Sequence, residues 1–179
     1  MTLQLTFPTL HSQNLTLRGP QAADFEPLCA FLLDHERAGG FGAEDDRPQA
    51  WRWFALNIGH WALHGYGYFT IVDRATNQPC GLTGVWNPEG WPEPELGWGI
   101  WDAAHEGKGY AEEAAMAARA YAYGTLGWTT AVSYIDAENA PSIALAKRLG
   151  CALDPEASLP ELPDWEGTLV YRHPAPEAL

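Results

Sequence analysis

Gly107 and Gly109 stand at the mouth of an alanine-rich helical stretch, in the run Glu106-Gly-Lys-Gly-Tyr-Ala111. Glycine lets a backbone turn tightly and lets a ligand come close to the chain. The first N–H groups of a helix lack intrahelical partners, so a helix opening near Tyr110 presents them to whatever occupies the turn. The chemistry open to such a turn is to cradle an anion, above all a phosphate or pyrophosphate. Two phosphate loops are excluded by spacing. A dinucleotide fingerprint wants a third glycine where Glu112 stands, and a P-loop wants Ser or Thr after its lysine, where Lys108 is followed by Gly109.

A carboxylate lies on the strand that leads into this turn. In Glu95-Leu-Gly-Trp-Gly-Ile-Trp101 the alternation of a strand puts Leu96, Trp98 and Ile100 on one face and Glu95, Gly97, Gly99 and Trp101 on the other. Two glycines on one face leave room for something to lie against the backbone. A carboxylate beside them can face a cleft and accept a proton directly or through water, which makes Glu95 the candidate general base, with Glu93 behind it. The plainer alternative is an exposed acid on a strand. Lys108, and Lys147 further on, are the cations that would offset a phosphate.

The run 106–111 resembles the Q/R-x-x-G-x-G/A signature of the GCN5-related N-acetyltransferase (GNAT) family, with Glu106 where Gln or Arg is usual. A second segment follows in the right order. Ser133 to Leu153, SYIDAENAPSIALAKRLGCAL, resembles the family's N-x-x-S and the helix after it that ends in R/K-L-G. The branch it resembles is the ribosomal-protein alanine acetyltransferase-like group (RimJ/RimL type), over nearly the whole chain.

That resemblance implies acetyl-CoA as co-substrate, no metal, and acetyl transfer to a primary amine, a protein N-terminus or a small molecule, by direct attack in a ternary complex. It implies a pyrophosphate held by the amides of Glu106, Gly107, Lys108, Gly109, Tyr110 and Ala111. The pantetheine arm is expected along Gly99, Ile100 and Trp101, with a main-chain N–H near Gly99 or Ile100 for the oxyanion. Asn139, Ser142 and Lys147 complete the expected cofactor contacts. Many members of the family use a Tyr acid in the helix after Asn139, but that position is Ala146 here, and the RimJ/RimL-like branch offers Ser142 instead. A thiol is acidic enough for a weak acid to suffice. The alternatives are a non-catalytic acyl-CoA-binding member and an aminoglycoside or polyamine acetyltransferase.

The elements that must position these groups can be followed along the chain. Leu15 to Arg18 reads as a strand, Asp24 to Asp34 as a helix by its apolar spacing, and Arg37 to Asp46 as a loop without period. A helix starts at Pro48 and runs to about His64. Its His60 and His64 are spaced as a metal pair would be, but Trp61 stands where a zinc protease needs Glu, and surface or helix-end histidines are expected. Tyr66 to Asp73 and Cys80 to Trp86 form a hairpin, and Glu95 to Trp101 is the next strand. The helix Tyr110 to Tyr123 should stop at Gly124. Thr129 to Ile135 is a strand, Asn139 caps a helix ending before Gly150, and Cys151–Leu153 and Thr168–Arg172 close the order βααβββαβαββ. The reading is α/β (α+β): a single-domain acyl-CoA N-acyltransferase fold over 1–179, with a mixed, mostly antiparallel sheet and helices on both faces.

With 10 Lys and Arg and a formal charge of −13, nucleic acid is excluded as a partner and a cationic amine acceptor is favoured. The acids cluster in two long irregular segments, 37–46 and 155–167, which are expected to flank the acceptor, while Lys108, Arg119, Lys147 and Arg148 fall on the cofactor side. Cys29, Cys80 and Cys151 have no metal or disulfide spacing, so reduced thiols are expected. The nine tryptophans, without interleaved basic residues, are expected in the core and lid. MTLQLTFPTLHSQ lacks a basic n-region and no run is long enough for a bilayer. The expectation is a cytoplasmic monomer or homodimer with no membrane partner.

Overall fold

The computed structural model describes residues 5–161, 165 and 167–178. Among these, the strands Leu10–His11 (β1), Leu15–Arg18 (β2), Tyr68–Asp73 (β3), Gln78–Trp86 (β4), Glu95–Ile100 (β5), Val132–Asp136 (β6), Ala152–Leu153 (β7) and Thr168–Arg172 (β8) form one sheet. Its order is β1-β2-β3-β4-β5-β6-β8-β7. Neighbours run antiparallel except β5 and β6, which are parallel and pair only at Glu95 and Val132. Beyond that rung the two strands separate, and the gap between them is the feature on which the site is built.

Every residue of β3 is buried, which requires cover on both faces. Phe25–Leu32 (α1), His35–Ala38 (α2) and Arg47–His64 (α3) lie on one side. There Phe25, Leu28 and Phe31 pack with Phe54 against Tyr68, Leu82 and Trp86. Tyr110–Gly124 (α4) and Ala140–Arg148 (α5) cover the other side. Ala114 and Ala122 of α4 are wholly buried on Leu15, Leu17, Phe69 and Ile71, and Ala115 and Ala118 join Leu145 of α5 over Leu96 and Ile135. Alanine at these positions lets the helix lie close to the sheet, so enlarging one forces a shift in a close-packed interior.

Local sequence explains most boundaries. Asp46 accepts the Gln49 N–H at 2.8 Å and Pro48 occupies the first turn of α3, so Asp46 is the cap and the helix starts at Arg47, one residue before the expected start. Such a cap is worth about 1 kcal/mol. Asn139 accepts the Ser142 N–H at 3.1 Å in the same way, and Gly150 turns the chain away from α5 with φ +79°. Several boundaries differ from the sequence reading: the short β1 was not expected, the hairpin strands start at Tyr68 and Gln78 rather than Tyr66 and Cys80, and the first helix is the shorter Phe25–Leu32. The segment expected as a loop from Arg37 begins inside α2, a single turn capped by Asp34; one turn is too short to show a period. α4 runs through Gly124 and ends on Thr125, leaving the positive φ to Gly127. The next strand starts only at Val132. His60 is buried rather than at the surface, its Nδ1 2.7 Å from the Tyr66 carbonyl and its Nε2 accepting the Asn87 N–H. Of the 155–167 segment, Asp164 and Glu166 lie outside the described residues.

Candidate active site

The apex of the gap is pinned by Ser133, whose hydroxyl donates to the Leu96 carbonyl at 2.5 Å and lies 3.0 Å from His173 Nε2. Backbone direction on β5 then follows by alternation. The Gly97 carbonyl accepts from Thr83 and the Trp101 N–H goes to Cys80, both on the β4 side. Leu96, Trp98 and Ile100 therefore direct their peptide groups to the opposite side, and past the Glu95 rung those of Trp98 and Ile100 have no ladder partner on β6. The expected oxyanion donor is thereby narrowed to Trp98 or Ile100; Gly99 points toward β4.

On one side of the gap lies a groove of about 1010 Å³, walled by Gly99, Ile100, the 106–111 turn, and Asn139, Ser142 and Leu145 of α5. Gly107 and Gly109 adopt φ +69° and +79°. Gly109 is the N-cap of α4 and brings no side chain to the helix's first N–H groups, which leaves them for a ligand. A pyrophosphate fits this donor set, and the groove could hold a long thioester-bearing arm beside Ile100.

Not every expected cofactor residue reaches the groove. The Trp101 side chain is buried in the core with Phe25 and Leu28, and its N–H is used by Cys80. Lys108 is exposed, its ammonium 5.6 Å from the Tyr110 ring centroid, and neither it nor Lys147 lines the groove. Ala146 is wholly buried between α4 and α5, so that position serves packing. Of the four cations expected on the cofactor side, Arg148 lines the groove and the others do not. Asp34, Glu36, Glu106, Glu112, Asp136 and Glu138 line the groove, against Arg37 and Arg148. Arg148 is paired with Glu112 at 2.8 Å, Arg37 forms an ion pair with Glu106, and Arg119 is buried, donating to the Leu149 carbonyl. Arg37 was invisible in the sequence because it comes from a helical turn remote in the chain.

On the other side lies a pocket of about 380 Å³ that meets the groove at Trp98 and Ser142. Glu95 faces it, half-buried, and accepts the Trp91 indole N–H at 2.7 Å. Burial pushes the Glu95 carboxyl up to about 7, with the Trp91 hydrogen bond opposing. Glu93, the reserve base, is engaged: both oxygens take the Arg172 guanidinium at 2.7 and 2.8 Å, and Asp154 binds the same arginine. The Trp98 indole donates to Ser142 Oγ at 3.3 Å, leaving the hydroxyl hydrogen free to be donated. The room expected at Gly97 is taken by Tyr68, whose hydroxyl lies 2.2 Å from where a Cβ would stand. Trp61, Trp86 and Trp101 are buried in the core as expected, and Trp53, Trp86, Trp91, Trp98 and Trp165 also line this pocket. Among the described residues, no group of three or more His, Cys, Asp or Glu is arranged to hold a metal ion.

Residues 14–152 match the acetyltransferase (GNAT) domain family. An acetyltransferase from Agrobacterium tumefaciens str. C58 is 37% identical, with a TM-score of 0.86, over 97% of this chain and 98% of that one. Ribosomal-protein-S5-alanine acetyltransferase from Vibrio fischeri shares the fold at 16% identity and TM-score 0.67, over 92% of this chain and 95% of that one. RimL, a ribosomal L7/L12 alpha-N-protein acetyltransferase, shares it at 15% identity and TM-score 0.74, over 93% and 94%.

Proposed function

The chain belongs to the GNAT acetyltransferase family, and from that premise we propose that it transfers an acetyl group from acetyl-CoA to a primary amine in a ternary complex. The observation that carries this reading is the junction of groove and pocket at Trp98 and Ser142, with a carboxylate in the pocket and main-chain N–H groups between them.

The amine occupies the pocket and gives up a proton to Glu95, directly or through a water. A carboxyl poised near neutrality is suited to that work, since it is both ionised and basic enough at working pH. The neutral nitrogen attacks the thioester carbonyl across the gap. The Trp98 or Ile100 N–H stabilises the oxyanion, fixed in place by the β4 ladder behind it. As the C–S bond breaks, the attacking nitrogen releases its remaining extra proton to solvent, and the thiolate takes a proton from solvent, directly or relayed through the Ser142 hydroxyl, which regains its own. The amides at the start of α4, with Gly107 and Gly109, hold the pyrophosphate and so set the register of the thioester along β5.

The test is incubation with acetyl-CoA and a panel of amines, read by free-thiol release. Amine-dependent release at a rate above hydrolysis is expected. Tight coenzyme A binding without release by any amine would instead favour a cofactor-binding protein that does not turn over.

A further inference from the structure

We infer that the acceptor is a compact monoamine with an apolar body, an aryl- or branched-alkylamine, bound with its nitrogen at Glu95 and its body among aromatic rings. This inference rests on the N-acetyltransferase reading above and names its substrate class.

The walls of the pocket come from five separate parts of the chain. Phe41 follows α2, Trp53 belongs to α3, Tyr68 and Trp86 rise from the sheet, Trp91 lies before β5, and Trp165 before β8. Their rings form two touching groups, Phe41, Trp53, Tyr68 and Trp86 in one and Trp91 and Trp165 in the other. The Phe41 ring is 5.4 Å from Trp53 and 5.8 Å from Tyr68, Tyr68 is 5.4 Å from Trp86, and Trp91 is 5.6 Å from Trp165. Charge is sparse. Glu95 faces the chamber, and Asp136 lies where pocket and groove meet. Of the acids at 44–46 that the sequence placed beside the acceptor, Asp46 caps α3 and Asp45 faces His35.

Among the described residues, three buried side-chain polar atoms lack a hydrogen-bond partner, Asn87 Oδ1, Trp101 Nε1 and Tyr134 Oη, and of these only the Tyr134 hydroxyl belongs to a residue lining the pocket. Burial and the nearby Glu95 and Glu93 carboxylates push its ionisation upward, with the Glu93 main chain opposing. A buried hydroxyl without a partner costs stability unless a ligand supplies one. A primary amine at Glu95 can donate one hydrogen to the carboxylate and another to Tyr134 Oη, which supplies the partner that hydroxyl lacks, and its body brings no other polar group.

Competing acceptors are mismatched here. A polyamine or aminoglycoside carries further ammonium groups, each of which must be stripped of water in a chamber whose described walls carry Glu95 and, at its junction with the groove, Asp136. Ring faces repay only part of that loss. A peptide N-terminus brings backbone N–H and C=O groups that aromatic walls leave unpaired. An apolar body gains from every methylene that enters, and a volume of about 380 Å³ is at the small end for ligand sites, which suits a molecule of this class.

The experiment compares benzylamine and isopentylamine with putrescine, kanamycin and an alanine-initiated hexapeptide. Values of kcat/KM come from thiol release at saturating acetyl-CoA, and affinities from calorimetry in the presence of coenzyme A. The two apolar amines are expected to exceed each competitor by at least about tenfold, a margin typical of a pocket that recognises a few methylenes. Trp53→Leu should lower the benzylamine value about tenfold while leaving coenzyme A affinity within about twofold. Tyr134→Phe should weaken both apolar amines without changing their order. Preference for putrescine, kanamycin or the peptide, in rate or in affinity, overturns the inference even if acetyl transfer is confirmed. Absence of thiol release with every amine removes the enzymatic reading, while the calorimetric order still decides what the pocket accepts.

Discussion

Replacing Glu95 by Gln should cost the protein its base and make the fold more stable at alkaline pH. The carboxyl ionises at about 4.5 when unfolded and at about 7 in the pocket. Below 4.5 it is protonated in both states and contributes no pH dependence. Between 4.5 and 7 the unfolded chain has released a proton that the folded chain still holds, so stability falls as pH rises through this window and stays reduced above it. The full separation of about 2.5 units corresponds to about 3.4 kcal/mol at 1.36 kcal/mol per unit. Because Glu95 is only half-buried and keeps its bond from Trp91, about 1–3 kcal/mol is the working figure. A neutral Gln does not suffer this loss and can still accept the Trp91 N–H. Urea unfolding of both proteins at pH 5 and pH 8 should show the variant gaining about 1–3 kcal/mol between the two conditions. In parallel, its kcat/KM should fall about 10²- to 10⁴-fold and lose the limb that rises toward pH 7 in the parent. The acceptor's own ionisation, near that of lysine at about 10, gives a separate limb that both proteins retain. A stability difference that is the same at both pH values would show that the carboxyl is not desolvated. A limb near 7 that survives the substitution would move the base elsewhere.

Gly109→Val should weaken coenzyme A binding tenfold or more with an unchanged far-ultraviolet spectrum, because a β-branched residue resists φ +79° although no atom lies within 4 Å of its Cβ; unchanged affinity by calorimetry would remove the 106–111 turn from the site. Glu106→Gln should release Arg37 from its ion pair and tighten coenzyme A about two- to fivefold, whereas Arg37→Gln should loosen it and leave pantetheine unaffected. Equal responses to coenzyme A and pantetheine would show that Arg37 does not meet phosphate. Since carboxylates outnumber arginines along the groove, coenzyme A affinity should change less than about threefold between 50 and 300 mM salt; a steep loss would assign the phosphates to exposed lysines such as Lys108.

What the sequence disclosed about this site is what short-range geometry controls. The glycine turn, the Asn139 cap and the alternation that places Glu95 each depend on a handful of consecutive residues, and each stands where it was expected. The aromatic chamber depends instead on five segments meeting in space, and nothing in the spacing of Phe41, Trp53 and Trp165 announces that they converge. Charge was misread for a related reason. Counting acids along 37–46 takes no account of Asp46 being spent on a helix cap, and counting Arg119 and Lys147 on the cofactor side takes no account of one being buried and the other turned outward. Trp101 shows the limit of strand alternation: it shares a face with Glu95, but the strand ends before it and α1 covers the indole.

The separation of β5 from β6 leaves two unpaired strand borders in the middle of the sheet, where a foreign chain could in principle add itself as it would to an outer edge. Here the wedge is too narrow at its apex, closed by Ser133 on Leu96, and the Trp98 indole reaching Ser142 forms a crossbar over the remainder. The groups at the junction of groove and pocket thus also lie across these borders. Substitutions that shorten Trp98 should therefore show themselves first in turbidity on storage, at protein concentrations where the parent stays clear.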